Sequence, residues 1–323
     1  MMNRPTAIIL FFILLFSPPL FATSKFVDIK PLKLTTSTEL EEVLKIAVDE
    51  QLRGTGTDSI KPEELAATVI DLTDPENLKT ADYRGDQKIY PASVVKLFYM
   101  VALQQWLEDG KVRTSPELER GLADMIRVSS NDATHYIFDV LTGTSGGPEL
   151  SPKELRKYAY RKNAVNRYFE KQGFSDINVN QKTYCEDIYG RERQFWDEGK
   201  QRNKLTTNST ARLLAQIALG LAVSPERSRR MLELLKRDPF SAAQDEEDQA
   251  HGFTGISILE LKLESARLFS KAGYTASTRH DAAFIELPGD KKIVIVVFTE
   301  NHANNRKIIP GIATPVIKFL TGR

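Results

Sequence analysis

The chain is short of almost everything that would mark it for a covalent or electrostatic specialisation. It has a single cysteine, Cys185, in 323 residues, so no disulfide can close within it and no thiolate metal cluster can form. Its four histidines, His135, His251, His280 and His302, show no metal-ligand spacing, and neither a metal nor another cofactor is expected. Charge of one sign is not in excess, with 44 Lys and Arg against 43 Asp and Glu. So balanced a surface gives no electrostatic reason to expect nucleic acid or an anionic membrane as partner. Eighteen glycines and 15 prolines are too few for collagen-like or low-complexity structure. What remains is 41% hydrophobic and 27% charged, an ordinary globular composition able to bury a substantial core. At roughly 150 residues per domain, the length allows about two domains or one large one.

The longest apolar run stands at the start. Arg4 is the sole charge in the first 22 residues, Ala7 to Phe16 is unbroken apolar sequence, Ser17-Pro18-Pro19 ends it, and Ala22 offers a small residue for cleavage. This is the layout of a secretory signal peptide over residues 1–22. The run is about half of the roughly 20 residues that a span requires, so no stable membrane anchor is expected. Nor does a cysteine follow it to carry a lipid. Cleavage leaves residues 23–323 with 43 charges of each sign, as a single exported, periplasmic domain.

Periodicity sketches that domain. Leu40, Val43, Leu44, Ala47, Val48 and Leu52 keep a helical period, with Thr38 and Glu41 placed as a capping box. Residues 67–72 and 78–84 read as a hairpin across the turn Asp74 to Asn77. Helices are expected at about 93–107, 116–128, 133–141, 163–172, 209–221 and 225–235. Ser115-Pro116 and Ser224-Pro225 supply cap and first turn for two of them. Residues 180–204 read as a long polar loop, and the acidic run Asp245 to Asp248 as a solvated turn. Two strong strands, 282–287 and 292–299, precede a last helix near 315–320. Strands at both ends around a helical middle imply one sheet built from both termini, with an all-helical lobe inserted.

Two serine motifs compete for chemistry. Gly143-Thr144-Ser145-Gly146-Gly147 spells a nucleophile elbow, but that device needs a strand before it and a helix straight after. An amphipathic helix precedes it instead, and a flexible loop after a helix end explains each residue. Ser93-Val94-Val95-Lys96 has the better setting. Ser93 is the only serine with Lys three residues later, and it opens an apolar helix running through Leu103. A helix N-terminus favours a developing oxyanion, and one turn brings Lys96 beside Ser93. A partly desolvated lysine can lose its proton near neutrality and serve as base. Downstream, Ser129-Ser130-Asn131 gives an S-x-N and Lys271-Ala272-Gly273 a K-x-G.

With these three motifs in this order, the chain resembles the serine β-lactamase and penicillin-binding protein superfamily, closest to class A β-lactamases. Tyr83 to Asp86, Pro91 to Leu97, Met125 to Asp132, Leu205-Thr206-Thr207, Ser224 to Leu235 and Ser270 to Thr299 carry the resemblance, over most of Ala67 to Leu320. It implies an α+β fold: a five-stranded antiparallel sheet flanked by helices beside an all-α lobe at roughly 93–235, with the site between them. It makes Ser93 the acylated nucleophile and Lys96 its base or proton relay. Ser129 passes a proton to the leaving nitrogen, Asn131 holds the substrate amide, and Lys271 attracts the substrate carboxylate. The backbone N–H groups of Ser93 and Tyr274, the latter just past Gly273, form the oxyanion hole. Arg279 is a second candidate carboxylate anchor.

The departures from that pattern bear on the reaction. Ala272 lacks the hydroxyl usual between Lys and Gly, and Ser130 replaces the usual Asp. Ser93 and Ser129 are only 36 residues apart, while Ser129 and Lys271 are 142 apart. The family's E-x-x-L-N loop, which positions the deacylating water, is not spelled out. Glu192 lies 14 residues before Thr206, the spacing expected, yet Phe195-Trp196 stands where Leu-Asn belongs; Glu186 is the competing carboxylate. The reading is therefore an exported serine hydrolase working through an acyl-enzyme, with β-lactam hydrolysis its best-fitting reaction. A D,D-peptidase, amidase or esterase on cell-wall fragments, or a catalytically silent binding protein, stands as the alternative. The partner is a small β-lactam or peptidoglycan-like molecule, and no oligomeric state is implied.

Overall fold

The computed structural model describes residues 32–54, 59–184, 188–243, 245 and 247–323. The signal segment read at residues 1–22, Cys185 and Glu186 lie outside the described residues. In chain order the elements begin with β1 (Leu34–Thr36), α1 (Thr38–Leu52), β2 (Leu65–Asp71) and β3 (Leu78–Tyr83). The helical middle comprises α2 (Lys96–Glu108), α3 (Pro116–Arg127), α4 (Asn131–Thr142), α5 (Pro152–Lys162), α6 (Ala164–Lys171), α7 (Gly190–Trp196), α8 (Thr207–Ala218) and α9 (Pro225–Leu235). After it come β4 (Lys236–Arg237), α10 (Gly255–Glu260), β5 (Arg267–Tyr274), β6 (Thr278–Leu287), β7 (Lys291–Glu300) and α11 (Ile308–Thr321).

The strands form one sheet in the order β1-β3-β2-β7-β6-β5-β4. This corrects the expected five-stranded antiparallel sheet. The five long strands from β3 to β5 are antiparallel throughout, but β1 adds in parallel to β3 on one edge and β4 pairs with β5 on the other. The sheet is therefore seven-stranded and mixed. Edge segments of three and two residues are too short to show the alternation by which strands are read.

Both faces of the sheet are covered, because successive side chains on a strand point to opposite sides. Ala66 and Ile70 of β2, with Val294, Val296 and Phe298 of β7, join the core shared with the helical lobe. Their neighbours Leu65, Ala67, Val69, Ile293, Ile295 and Val297 join a second core under α1 and α11. In the first core every residue of α2 from Lys96 to Gln104 is buried, so this helix is enclosed on all sides. Two ends differ from the sequence reading. Ser37, not Thr38, caps α1: its backbone is extended, as a cap requires, and its Oγ accepts the Leu40 N–H. The last helix starts at Ile308, with Pro315 inside it. Within 180–204 the short α7 forms, and paired backbone hydrogen bonds between Asn178 and Lys204, both 2.8 Å, close the neck.

Candidate active site

The sequence Tyr90-Pro91-Ala92-Ser93 is clamped between the sheet and α2. Buried Val94 and Val95 drive a 3-10 turn, Ala92–Val95, into the core, leaving Ser93 half-buried. In a 3-10 turn residues i and i+3 eclipse, which sets Lys96 on the side of Ser93. Ala92 has φ +45°, a left-handed conformation that an L side chain rarely adopts and that the surroundings must impose. Two contacts impose it. His280 of β6 accepts the Thr299 N–H at Nδ1 (3.0 Å), so Nε2 carries the proton and donates to Tyr90 O (2.9 Å). Burial pushes the His280 pKa down to about 4, keeping the ring neutral near pH 7. From β5, Gly273 approaches so closely that a Cβ there would stand 2.7 Å from Pro91 O and 3.2 Å from the Ala92 Cβ. Only glycine permits that approach.

Ser129 enters from the helical lobe. It lies just past α3 with φ +58°, the left-handed turn that commonly ends a helix. Ser130 then caps α4, its Oγ accepting the Ala133 N–H at 3.1 Å. The family's Asp can do the same work, so this departure keeps the turn. The turn presents both oxygens of Ser129 to one lysine. Lys96 Nζ donates to Ser129 O (2.6 Å), Ser129 Oγ (3.1 Å) and Asn131 Oδ1 (2.8 Å). Lys271, from β5, also donates to Ser129 Oγ, at 3.0 Å. One hydroxyl thus stands between two buried amines. Burial first, then the Lys96 and Arg237 charges, push the Lys271 pKa well below the ordinary lysine value.

Ser93, Ser129, Asn131, Lys271 and Tyr274 line a common cleft of about 670 Å³. Tyr274 is 44% exposed at its rim. Arg279, cross-strand from Tyr274, is buried beneath it and fully engaged: Nε donates to Ala303 O (2.8 Å), Nη1 to Gly252 O (3.0 Å) and Nη2 to the Glu247 carboxylate. Ser145 is exposed on the loop after α4, whose C-cap Gly143 is left-handed, with neither strand nor elbow around it. Among the described residues, no three His, Cys, Asp or Glu side chains are grouped to hold a metal. No helix among them is long and apolar enough to cross a membrane.

Glu192 is placed differently from the rest. It does not line the cleft with Ser93; it is buried in α7 between two lysines. Its Oε2 accepts from Lys162 Nζ (2.8 Å) and Tyr184 OH (2.8 Å), and Lys182 Nζ lies 3.2 Å from Oε1. Burial alone would raise this carboxyl, but the Lys162 and Lys182 ammoniums and the Tyr184 hydroxyl outweigh it and hold the pKa down at about 2. Lys182 and Tyr184 in turn line a separate cavity of about 410 Å³ beside Tyr90 and Trp196. Sequence reasoning also passed over residues 247–252. There Gln249 reaches Lys271 and Glu247 reaches Arg279, and the only signal was an acidic run that reads equally well as a solvated turn.

Comparison with known proteins bears on the fold and the family. The chain superposes on a β-lactamase from Sphaerobacter thermophilus with a TM-score of 0.62 at 20% identity, over 88% of this chain and 97% of that one. For the TLA-3 extended-spectrum β-lactamase the TM-score is 0.62 at 15% identity, over 87% and 99%. For a PBP-A mutant solved as an acyl-enzyme with penicillin G it is 0.59 at 19% identity, over 90% and 98%. At such identities the likeness establishes the fold alone. No curated protein matches by sequence. The profile of the Beta-lactamase enzyme family, however, matches residues 49–320. The chain belongs to that family, within the serine β-lactamase and penicillin-binding protein superfamily, and is a serine hydrolase.

Proposed function

We propose that the protein attacks amides of the β-lactam or cell-wall peptide class through an acyl-enzyme on Ser93. The observation that carries this reading is Lys96 Nζ held on Ser129 and Asn131 one turn beyond Ser93. In the proposed step, the Lys96 amine takes the Ser93 hydroxyl proton as Oγ adds to the substrate carbonyl carbon. The N–H groups of Ser93 and Tyr274 receive the oxyanion. The tetrahedral centre collapses as the C–N bond breaks, and Ser129 Oγ gives its proton to the leaving nitrogen. The Lys96 ammonium then passes the proton it took from Ser93 to Ser129 Oγ, which restores both groups. The product is an ester on Ser93.

The fate of that ester separates class A β-lactam hydrolysis from the alternative. A general base must reach the attacking water, directly or within one hydrogen bond. Glu192, the expected base, has both carboxylate oxygens beside cations and lies outside the cleft wall, which favours the D,D-peptidase, amidase or esterase reading, with slow turnover of β-lactams. The protein acts after export to the periplasm as the mature chain 23–323; N-terminal sequencing should then begin near Thr23. Time-resolved intact-mass spectrometry tests the chemistry. A fluorophosphonate and a penicillin should each add to Ser93, and the penicillin adduct should persist. Rapid return to free enzyme would restore class A hydrolysis, and no adduct from either probe would leave a silent binding protein.

A further inference from the structure

Both cations that a substrate carboxylate would seek are covered from within the chain. Lys271 has three N–H donors and three acceptors: Ser129 Oγ at 3.0 Å, Ala272 O at 2.7 Å and Gln249 Oε1 at 2.8 Å. Arg279 is 1% exposed, and its outward nitrogen is taken by the Glu247 carboxylate. Gln249 and Glu247 come from one loop, between β4 and α10. The Gln249 carboxamide spans the cleft: Oε1 also accepts the Ala272 N–H (3.1 Å), while Nε2 donates to Ile126 O (3.0 Å) and Arg127 O (2.8 Å) at the end of α3. It therefore sits on the Lys271 ammonium and the N–H of Ala272, the residue where the family's hydroxyl is missing.

The loop is built, not draped. Asp248 accepts the N–H groups of Ala250 (2.8 Å) and His251 (2.9 Å) and pairs with His251 Nδ1 at 2.8 Å. Arg306 donates to His251 O at 3.2 Å, and Ala250 O presses so close to Gly255 that a Cβ there would be 1.8 Å away. The same loop brings Asp245, Glu247 and Asp248 to the cleft wall. A substrate carboxylate arriving here must displace a fully hydrogen-bonded carboxamide and approach three acidic side chains. A neutral group is spared the approach to like charge, and one that leaves this space empty is spared the displacement as well; like-charged and unsatisfied partners are what discriminate against a ligand.

We propose that Gln249 and Glu247 make the site selective for acyl donors without a carboxylate on the leaving-group side: amides, esters or β-lactams in which that carboxylate is absent, esterified or amidated. This deepens the proposed function and rests on Ser93 being acylated. The test compares the rates at which benzylpenicillin and its methyl ester acylate Ser93 in the mature protein, with a fluorophosphonate as a third probe. The ester should react about tenfold faster or more, the scale of one hydrogen bond to a charged group. Gln249→Ala should move the ester-to-acid ratio toward the acid by about tenfold, and Glu247→Gln should move it the same way while keeping the loop's shape. Should Gln249→Ala fail to fold, Glu247→Gln alone reads the ratio. A parent that prefers the free acid, or a ratio unmoved by the folded variants, overturns the inference. So does fluorophosphonate labelling of Ser93 with neither penicillin form reacting, which leaves the Ser93 assignment standing. Failure of all three probes at Ser93 removes the proposed function itself.

Discussion

Two pairs of buried lysines stand in this fold, one of them opening its central helix, and they are balanced in opposite ways. In the cleft, Lys96 and Lys271 both donate to one neutral oxygen, Ser129 Oγ. At the 180–204 segment, Lys162 and Lys182 both face one carboxylate, Glu192, and Lys182 also pairs with Asp139 at 2.7 Å. The residue types are alike, but the charge sums are not. In the first pair, burial and the neighbouring Lys96 and Arg237 charges push the Lys271 pKa down, and the shared Ser129 hydroxyl lies between the two amines, where a proton relay requires it. Compensated, the second pair holds an ionised carboxylate that ties α5, α7 and the 182–184 segment together. A buried carboxylate at the family's spacing is therefore not by itself a catalytic base; its partners decide.

The largest expected effect lies on the first pair. Ser93→Ala should abolish labelling by a mechanism-based serine probe, and Lys96→Ala should slow acylation roughly 10²- to 10⁴-fold, the span of positioned acid–base catalysis. Unchanged acylation in Lys96→Ala would end its role as base. On the second pair, Glu192→Gln should cost stability rather than acylation. It leaves the buried Lys162 ammonium facing a neutral amide, while Lys182 keeps Asp139, a loss of about 3 kcal/mol that urea unfolding would register. The variant that folds should still acylate. Unaltered stability with accumulation of an acyl-enzyme, where the parent turns over, would instead make Glu192 the deacylating base.

Much of the first pair's setting was legible in the sequence, and little of the second's. Ser93 and Lys96 share one turn, Ser129 and Asn131 another, and Lys271 and Gly273 a strand end, so each motif is local even though the three meet only in space. The continuous apolar runs of β7 and α2, and the apolar second half of β6, marked the layers around them. Glu192 was found by spacing alone, and spacing carries no information about Lys162, 30 residues away, or Tyr184. The seven residues of α7, Gly-Arg-Glu-Arg-Gln-Phe-Trp, show no apolar period long enough to read as helix. Gln249 and Glu247 escaped for a related reason: a run of acids does not say on which cation it folds.

Acid should take the two regions apart in order. The folded His280 ring takes a proton at about 4 against 6.5 when unfolded. The unfolded chain thus binds more protons in that window, and stability falls as the pH drops from 6.5 to 4, by about 3 kcal/mol. Protonation also turns Nδ1 from acceptor to donor against the Thr299 N–H, loosening the clamp on Tyr90 O. Glu192 acts lower: its stabilisation is complete above 4.5 and is lost toward 2. Unfolding midpoints followed from pH 7 to 3 should show the His280 limb first, and His280→Gln should flatten that limb alone. A single limb confined below pH 4.5 would contradict the assignment.

The smallest effect tests the clamp without touching a reacting group. Gly273→Ala places a methyl group 2.7 Å from Pro91 O and 3.1 Å from Val94 Cγ2. Neither neighbour is a flexible chain end: Pro91 O is backbone, and Val94 is fully buried. Strand β5 must therefore withdraw from the 3-10 turn, carrying the Tyr274 N–H away from Ser93 and shifting Lys271 on Ser129. Misplacing a reacting geometry by as much as 1 Å can cost about 10²-fold, and a shift of tenths of an ångström should cost about tenfold. Overpacking should add about 1–3 kcal/mol of destabilisation. Acylation by a fluorophosphonate should fall with that loss, while the Glu192 cluster, outside the cleft lining, keeps its acid limb below pH 4.5. Full acylation in Gly273→Ala would mean that β5 does not hold the oxyanion donors, and that the cleft's pair of lysines is positioned from the helical lobe alone.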